Sequence, residues 1–113
     1  YYVKDTCDGF ILLGTENNAI GKSVNIGSNS EHSILDTFKL IKELMGSNID
    51  YQMDEERLRP SGSEVTRLVW DNSIIKSYGY ESKFTFEDGL VKTIEWFSDE
   101  KNLKKYKTNL YNV

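Results

Sequence analysis

A helix start near the end of the chain, with the apolar stripe behind it, constrains the fold most. Thr85 and Asp88 have the spacing of a capping box, in which each side chain hydrogen-bonds the other residue's backbone N–H. The apolar residues that follow recur every three or four positions, as one face of a helix requires: Phe86, Leu90, Ile94 and Phe97. The pattern predicts a final helix that runs to about Lys105.

Two other helix starts are indicated by capping residues. Asp5 or Thr6 can cap a first helix, because a short polar side chain can accept from the free N–H groups of the first turn. One side of that helix is apolar or small, and we expect another element to pack there: Cys7, Phe10, Ile11 and Gly14. Asp71 or Ser73 can likewise cap a short helix that ends near Gly79.

The second helix has the most continuous stripe. Ser33 and Asp36 form a pair that resembles a capping box, and Gly46 is the predicted stop. The apolar residues between them repeat with helical period: Ile34, Phe38, Ile41, Leu44 and Met45. The pattern predicts an amphipathic helix that buries this side.

Three short runs have the composition of strands. They are Ser23–Gly27, Ile49–Gln52 and Arg67–Trp70, and Tyr1–Val3 resembles the end of a further strand. Residues 53–64 between them are polar and irregular, as in a functional or disordered loop. Three strands and four helices predict a small mixed α/β domain that spans residues 1–113 as one unit.

Charge and cysteine content exclude several classes of function. The 113 residues hold 14 basic and 18 acidic side chains, so the net charge of −4 provides no basic field for nucleic acid. Cys7 is the only cysteine, which excludes an internal disulfide and favours a cytoplasmic protein. The longest apolar run, Phe10–Leu13, is far too short to span a bilayer. We therefore expect neither a nucleic acid nor a membrane as partner.

Familiar catalytic and cofactor patterns are absent from the sequence. No tyrosine has a lysine four residues later, the pair that makes a tyrosine acidic enough to act as a base. No glycine spacing suits a dinucleotide-binding turn. His32 is the sole histidine and suits a solvated position rather than a zinc site. The acidic run Asp54–Glu56 lacks the spacing of a calcium loop and is best explained as solvated.

Arginines near the irregular loop are the remaining candidates for chemistry. Arg57, Arg59 and Arg67 lie close together in sequence, and a guanidinium can hold phosphate oxygens in a bidentate grip. They could therefore bind a diphosphate. The alternative is that they form exposed ion pairs with the acidic run.

A set of short motifs in fixed order resembles one enzyme family over nearly all of residues 2–97. The chain is similar to the C-terminal part of extended short-chain dehydrogenase/reductases, the NAD-dependent epimerase/dehydratase family. The likeness is greatest to nucleotide-sugar 4,6-dehydratases of the GDP-mannose or legionaminic-pathway type. The motifs are Tyr2–Asp5, Val24–Gly27, Ser33–Asp36, Arg59–Pro60, Ser63–Val65, Arg67–Leu68, Asp71–Ser73, Tyr78–Tyr80 and Thr85–Phe97. Tyr80 stands where the family usually has tryptophan.

The resemblance implies that the chain is the substrate-binding domain of an extended Rossmann-type enzyme, whose N-terminal NAD-binding domain lies outside these residues. In such a dehydratase, hydride passes from C4 of the hexose to NAD, water is lost across C5 and C6, and the hydride returns to C6. The catalytic groups would lie in that other domain. We therefore expect the chain alone to be inactive and the whole enzyme, a lyase, to be a cytoplasmic homodimer.

The resemblance also implies three substrate-binding residues, no catalytic residue and no metal site in this chain. Asn25 would hydrogen-bond the nucleotide or its ribose, and Arg59 would contact the diphosphate of a GDP-, UDP- or dTDP-linked sugar. Arg67 would add a second contact. An equal alternative for Asn25 is that its amide ties a strand end to a neighbouring loop. Glu64 could orient an arginine or the sugar, or face solvent.

Two other functions are compatible with the same motifs. A nucleotide-sugar C4 epimerase shares the architecture, and residues outside this chain would distinguish it. The chain could also be a non-enzymatic interaction domain of the same ancestry, with the tail Leu103–Val113 as a docking segment.

Overall fold

The structure, a computed structural model, describes residues 1–52 and 69–106 of the chain. In these residues the helices are α1 (Val3–Thr15), α2 (Ile34–Leu44), α3 (Ser73–Ser77), α4 (Phe86–Ser98) and α5 (Glu100–Leu103), and a 3-10 turn spans Asn17–Ala19. Helix α2 lies against α4, and α4 against α5. All regular structure within the two described ranges is therefore helical.

The predicted strands are not observed in the described part of the chain. Ser23–Gly27 contains no helix, turn or bend, so it runs extended, but it has no strand ladder. Ile49–Gln52 likewise contains no helix, turn or bend and no strand ladder, Val3 already belongs to α1, and Val69 and Trp70 are the only described residues of the third run. The physical reason is that a strand needs a hydrogen-bonded neighbour in addition to suitable residues. The mixed α/β class is therefore not observed in these residues.

Capping chemistry predicted the starts of α2 and α4 correctly. Thr85 Oγ1 accepts from the Asp88 N–H at 3.1 Å, and Asp88 Oδ2 accepts from the Thr85 N–H at 3.1 Å. The bonds that Thr85 donates, first from its side chain and then from its backbone, lower the pKa of Asp88. Ser33 Oγ accepts from the Asp36 N–H at 2.9 Å, and Gly46 follows α2 with a φ of 58°. Both helix starts and the glycine stop are confirmed.

The last predicted helix is shorter than its pattern indicates. Helix α4 ends at Ser98, where Asp99 adopts an extended backbone, and does not continue to Lys105. The Asp99 carboxylate accepts from the Lys101 N–H at 2.9 Å and starts α5. A side chain that competes for backbone donors favours a new cap over helix continuation, which explains the break.

Asp5 has a different role from the predicted cap. Helix α1 begins at Val3 with Tyr2 as its N-cap residue, so neither Asp5 nor Thr6 caps it. Asp5 lies in the first turn and is 1% exposed. Its carboxylate accepts from the Ser82 hydroxyl, from the Lys83 N–H at 3.0 Å and from the Phe84 N–H at 3.3 Å. Asp5 therefore ties α1 to the loop that precedes α4.

A small buried centre surrounds this contact. Ile75 and Tyr80 are the buried hydrophobic residues of the described ranges. The Tyr80 hydroxyl donates to the Asp5 carbonyl at 2.9 Å and is hydrogen-bonded to the Tyr1 hydroxyl. Burial, followed by the bond with Tyr1, raises the pKa of Tyr80 above its ordinary value. Tyr80 thus fills the position where the related pattern has tryptophan, with a hydroxyl that also reaches α1.

The apolar side of α1 is largely uncovered. Phe10 is 65% exposed and Ile11 is 67% exposed, so the packing expected for them is not supplied by the described residues. Gly9, on another side of the helix, is buried against Ile26: a Cβ at Gly9 would lie 2.8 Å from Ile26 Cγ2. Helix α1 therefore packs closely on the extended segment Ser23–Gly27 through a glycine.

We expect Asp5→Ala to lower the free energy of unfolding by about 3 kcal/mol, because two backbone N–H groups and a hydroxyl lose a charged acceptor. The matched control is Asp8→Ala on the same helix. Asp8 forms an exposed ion pair with Lys83 at 2.7 Å, so we expect a change below about 1 kcal/mol. Urea denaturation followed by tryptophan fluorescence measures both. Equal losses in the two variants would contradict the role of Asp5.

We expect two glycine substitutions in α1 to have opposite signs. Gly14→Ala should stabilise the chain by about 0.5 kcal/mol, since a Cβ there meets nothing within 4 Å and alanine favours the helix. Gly9→Ala should destabilise by about 1–2 kcal/mol because its Cβ would clash with Ile26. Thermal unfolding by circular dichroism compares them, and stabilisation by both would show that α1 does not pack on Ile26.

Candidate functional site

The described residues contain one of the three predicted substrate-binding side chains. Asn25 lies in the extended segment Ser23–Gly27. Arg59 and Arg67 fall within residues 53–68, outside the described ranges, as do Glu64 and the acidic run Asp54–Glu56. The site can therefore be built from the Asn25 side, and the two arginines remain predictions.

Asn25 is exposed, and a backbone contact orients its amide. Its Nδ2 donates to the Asp71 carbonyl oxygen at 3.3 Å. A carbonyl oxygen can only accept, so this bond requires the NH2 group to face Asp71. The amide thus ties the segment to a neighbouring loop, as the alternative reading proposed. Its Oδ1 and its second N–H point elsewhere and are not used in that contact.

Asn72, the residue after Asp71, binds the same segment. Its Nδ2 donates to the Gly27 carbonyl at 2.7 Å, and the residue is only 5% exposed. Its Oδ1 is buried and has no hydrogen-bond partner among the described residues. The sequence did not single out Asn72, because an asparagine beside Asp71 and Ser73 is typical of a helix cap. Burial, which sequence alone does not give, distinguishes it.

Asp71 contributes a negative charge close to Asn25. Its Oδ1 accepts from the Ser73 N–H at 2.9 Å at the start of α3. This backbone bond, together with one from the Ser73 side chain, lowers the pKa of Asp71. The carboxylate is therefore ionised at neutral pH. A hydroxyl or N–H donor suits this surrounding better than an anion does.

A groove of about 830 Å³ lies beside the extended segment. Residues from both ends of the described chain line it, among them Tyr1, Ile26, Gly27, Trp70 and Phe86. A Cβ on Gly27 would lie 3.1 Å from the Trp70 side chain, so the indole packs directly on the glycine backbone. The groove thus combines these apolar side chains with polar side chains from residues 28–37.

His32 borders the same groove. Its ring stacks on Phe86, with 3.8 Å between centroids and 9° between the planes. The residue is exposed, as the sequence predicted, so the stacked pair forms part of the groove wall rather than of a core.

A second groove has a volume of about 600 Å³. It is lined by Ser28, Asn29, Lys76 and Ser82, together with the backbone near Gly79. Hydroxyl, amide and ammonium groups can hydrogen-bond a polar ligand, and the lining carries one positive charge, on Lys76, and one negative charge, on Glu81. The predicted site did not include these residues.

Metal and membrane sites can be addressed only within the two described ranges. There, no group of three or more histidine, cysteine or acidic side chains is arranged to hold a metal ion. None of the described helices has the length and apolar character that crossing a bilayer requires.

Comparison with known proteins relates the chain to enzymes named for nucleotide sugars. No protein-family model matches the chain, and no solved structure matches it. It is 28% identical to a GDP-L-colitose synthase from Yersinia pseudotuberculosis over 102 residues, which cover 89% of this chain and 32% of that enzyme. It is 34% identical over 105 residues to UDP-glucuronic acid decarboxylase 1 from Danio rerio, covering 88% of this chain and 22% of that enzyme.

A plant relative has the same pattern of coverage. The chain is 31% identical over 96 residues to a probable GDP-L-fucose synthase 1 from Oryza sativa subsp. japonica, covering 85% of this chain and 28% of that protein. The chain thus spans a third or less of the length of these three relatives. By sequence, it is similar to one part of nucleotide-sugar-modifying enzymes.

Proposed function

We propose that the chain is the nucleotide-sugar-binding part of a larger NAD-dependent enzyme that converts nucleotide sugars. The observation that carries this proposal is the similarity over 85–89% of the chain to enzymes named for GDP- or UDP-linked sugars. Different reactions in these names share one kind of substrate. A segment common to them is therefore better suited to binding the nucleoside diphosphate that these substrates have in common than to one reaction.

Within this group we propose a 4,6-dehydratase. The motifs around Arg59–Pro60 and Asp71–Ser73 favour that type. A trifunctional protein from Arabidopsis thaliana that includes a UDP-glucose 4,6-dehydratase is 26% identical to the chain over 97 residues. Both observations favour a dehydratase. An assay of the intact enzyme with UDP- and GDP-sugars would identify the reaction.

The surroundings of Asn25 favour a proposed site in which Asn25 and the arginines bind different parts of the nucleotide sugar. Asn25 contacts the Asp71 carbonyl, and Asp71 also carries an ionised carboxylate, so a negative charge on this loop disfavours a phosphate there. The unused Oδ1 of Asn25 suits a donor such as a ribose hydroxyl or a ring N–H. The diphosphate would then be held by Arg59 and Arg67, whose guanidinium groups match phosphate geometry.

The short separation in sequence between Arg67 and Asp71 allows Arg67 to reach the same ligand as Asn25. It precedes Asp71 by four residues, and four extended residues span at most about 14 Å. Since Asn25 contacts the Asp71 carbonyl, both residues could reach one ligand of nucleotide size. Arg59 lies 12 residues before Asp71, so its position is less restricted and its role rests on the resemblance.

The chain's own residues do not fit NAD. They include no dinucleotide-binding glycine pattern and no tyrosine–lysine pair, so we place the cofactor and the catalytic groups in the remaining part of the enzyme. The contribution of this part is binding energy from the nucleotide and diphosphate. Remote binding energy can position the sugar for reaction at C4, C5 and C6.

Calorimetric titration of the chain with UDP and with GDP tests the proposal. We expect one nucleotide to bind, and Arg59→Ala to weaken its binding about 10- to 100-fold, because a charge-assisted hydrogen bond contributes about 1.5–3 kcal/mol. Lys39→Ala, which removes an exposed cation from α2, is the matched control and should leave the affinity within about twofold.

Two results would count against the proposed function. A stable, monodisperse chain that binds neither nucleotide would favour the non-enzymatic interaction domain. Equal losses in the two variants would show general attraction of an anion rather than a site at Arg59. Turnover of a UDP- or GDP-sugar by the chain alone would contradict the placement of catalysis elsewhere.

A further inference from the structure

Two side-chain amides join the segment Ser23–Gly27 to the start of α3, and they do so in opposite directions. The Asn25 amide donates to the Asp71 carbonyl at 3.3 Å. The Asn72 amide donates to the Gly27 carbonyl at 2.7 Å. The two anchored residues of the segment are two positions apart, which is roughly 7 Å in an extended chain. Two bonds at that separation fix the direction of the segment, whereas one bond alone would let it pivot.

The bond that Asn72 donates is the stronger of the two. Asn25 and Asp71 are exposed, so water competes for their groups, and their bond is long. Asn72 and Gly27 are buried, and their bond is short. A short bond that is sheltered from water holds its partners in place, while an exposed, long bond follows the backbone that carries it. The orientation of the Asn25 amide therefore depends on Asn72.

Asn72 is itself held by a packed helix. Its backbone carbonyl accepts from the Lys76 N–H at 3.1 Å in the first turn of α3. Ile75 of the same helix is fully buried. The Trp70 side chain lies directly against Gly27, where a Cβ would be 3.1 Å from it. The Asn72 amide thus passes the position of α3 on to the segment at a point where the backbones are already close.

The same side chain also has an unfavourable effect on stability. Asn72 Oδ1 is buried and has no hydrogen-bond partner among the described residues. A buried acceptor without a partner destabilises the folded state, and this offsets part of what the bond to Gly27 contributes. An apolar side chain would avoid that effect. We therefore expect Asn72 to matter more for the geometry of the segment than for the stability of the fold.

We propose that Asn72 is a positioning residue of the nucleotide-binding site. Through the Gly27 carbonyl it fixes the segment that presents the Asn25 amide, so that Oδ1 of Asn25 faces the ligand. This inference rests on the proposed function, in which Asn25 binds the ribose or the base of a nucleoside diphosphate. Asn72 acts on the ligand only through Asn25, since a side chain that is 5% exposed has little surface left to offer a ligand.

Calorimetric titration of the chain with UDP and with GDP tests this role through a double-mutant cycle. We expect Asn25→Ala to weaken binding of the preferred nucleotide about tenfold, as loss of one hydrogen bond does. Asn72→Ala should weaken it about fivefold. Because Asn72 acts through Asn25, the double variant should bind within about twofold of Asn25→Ala alone. Losses that multiply in the double variant would show that Asn72 acts independently, and would overturn the proposal.

Asn102→Ala is the matched control. The Asn102 amide also donates to a backbone carbonyl, that of Trp96 at 3.0 Å, but it belongs to α5. We expect this variant to keep the affinity within about twofold. Thermal unfolding should place Asn72→Ala within about 5 °C of the unsubstituted chain, because the lost bond and the removed unpaired oxygen offset each other. An equal loss of affinity in the two variants would contradict a positioning role for Asn72.

NMR of the free chain tests the same role without a nucleotide. We expect Asn72→Ala to shift the side-chain amide resonances of Asn25, and Asn102→Ala to leave them in place. Unchanged Asn25 resonances in Asn72→Ala would overturn the positioning role whether or not a nucleotide binds. If Asn72→Ala does not fold, Asn72→Ser, which keeps a small polar side chain but removes the amide, replaces it in both measurements.

The titrations also separate this inference from the proposed function. A folded chain that binds neither nucleotide would contradict the proposed function. Binding by the unsubstituted chain that Asn72→Ala leaves unchanged would contradict this inference alone.

Discussion

The described structure depends on the buried carboxylate of Asp5. It is fixed in the first turn of α1 and accepts hydrogen bonds from Ser82, Lys83 and Phe84. A buried carboxylate is tolerable only when donors surround it, so the loop before α4 has to meet α1 at this point. Tyr80 reinforces the contact through the Asp5 carbonyl. The described residues include few buried apolar side chains. This polar junction, rather than a large core, therefore determines how α1 packs against the loop before α4.

The candidate site is built outward from that junction by glycine contacts and amide side chains. Gly9 lets α1 lie directly on Ile26, and the amides of Asn25 and Asn72 bind the same segment to the start of α3. One side of the segment is thereby fixed, and the position of the Asn25 amide in the proposed site depends on it.

Sequence patterns correctly predicted the helix starts and the helix stop, which depend on residues close together in the chain. The caps at Ser33 and Thr85 and the stop at Gly46 are local, and all three were found. Asp5 was misassigned as a cap because its true partners lie 77 to 79 positions away and leave no local signal. Asn72 was missed because its partner, the Gly27 carbonyl, is also distant in sequence. The strands failed because pairing depends on a neighbour, which a strand's own composition does not specify.

The distance in sequence between Asp5 and its donors also bears on synthesis. Helix α1 is translated before α4, so Phe84 must be made before the carboxylate is satisfied. Closing so long a loop is slow compared with forming a helix. The docking of α1 onto the loop before α4 is therefore a late event in the folding of this part of the chain.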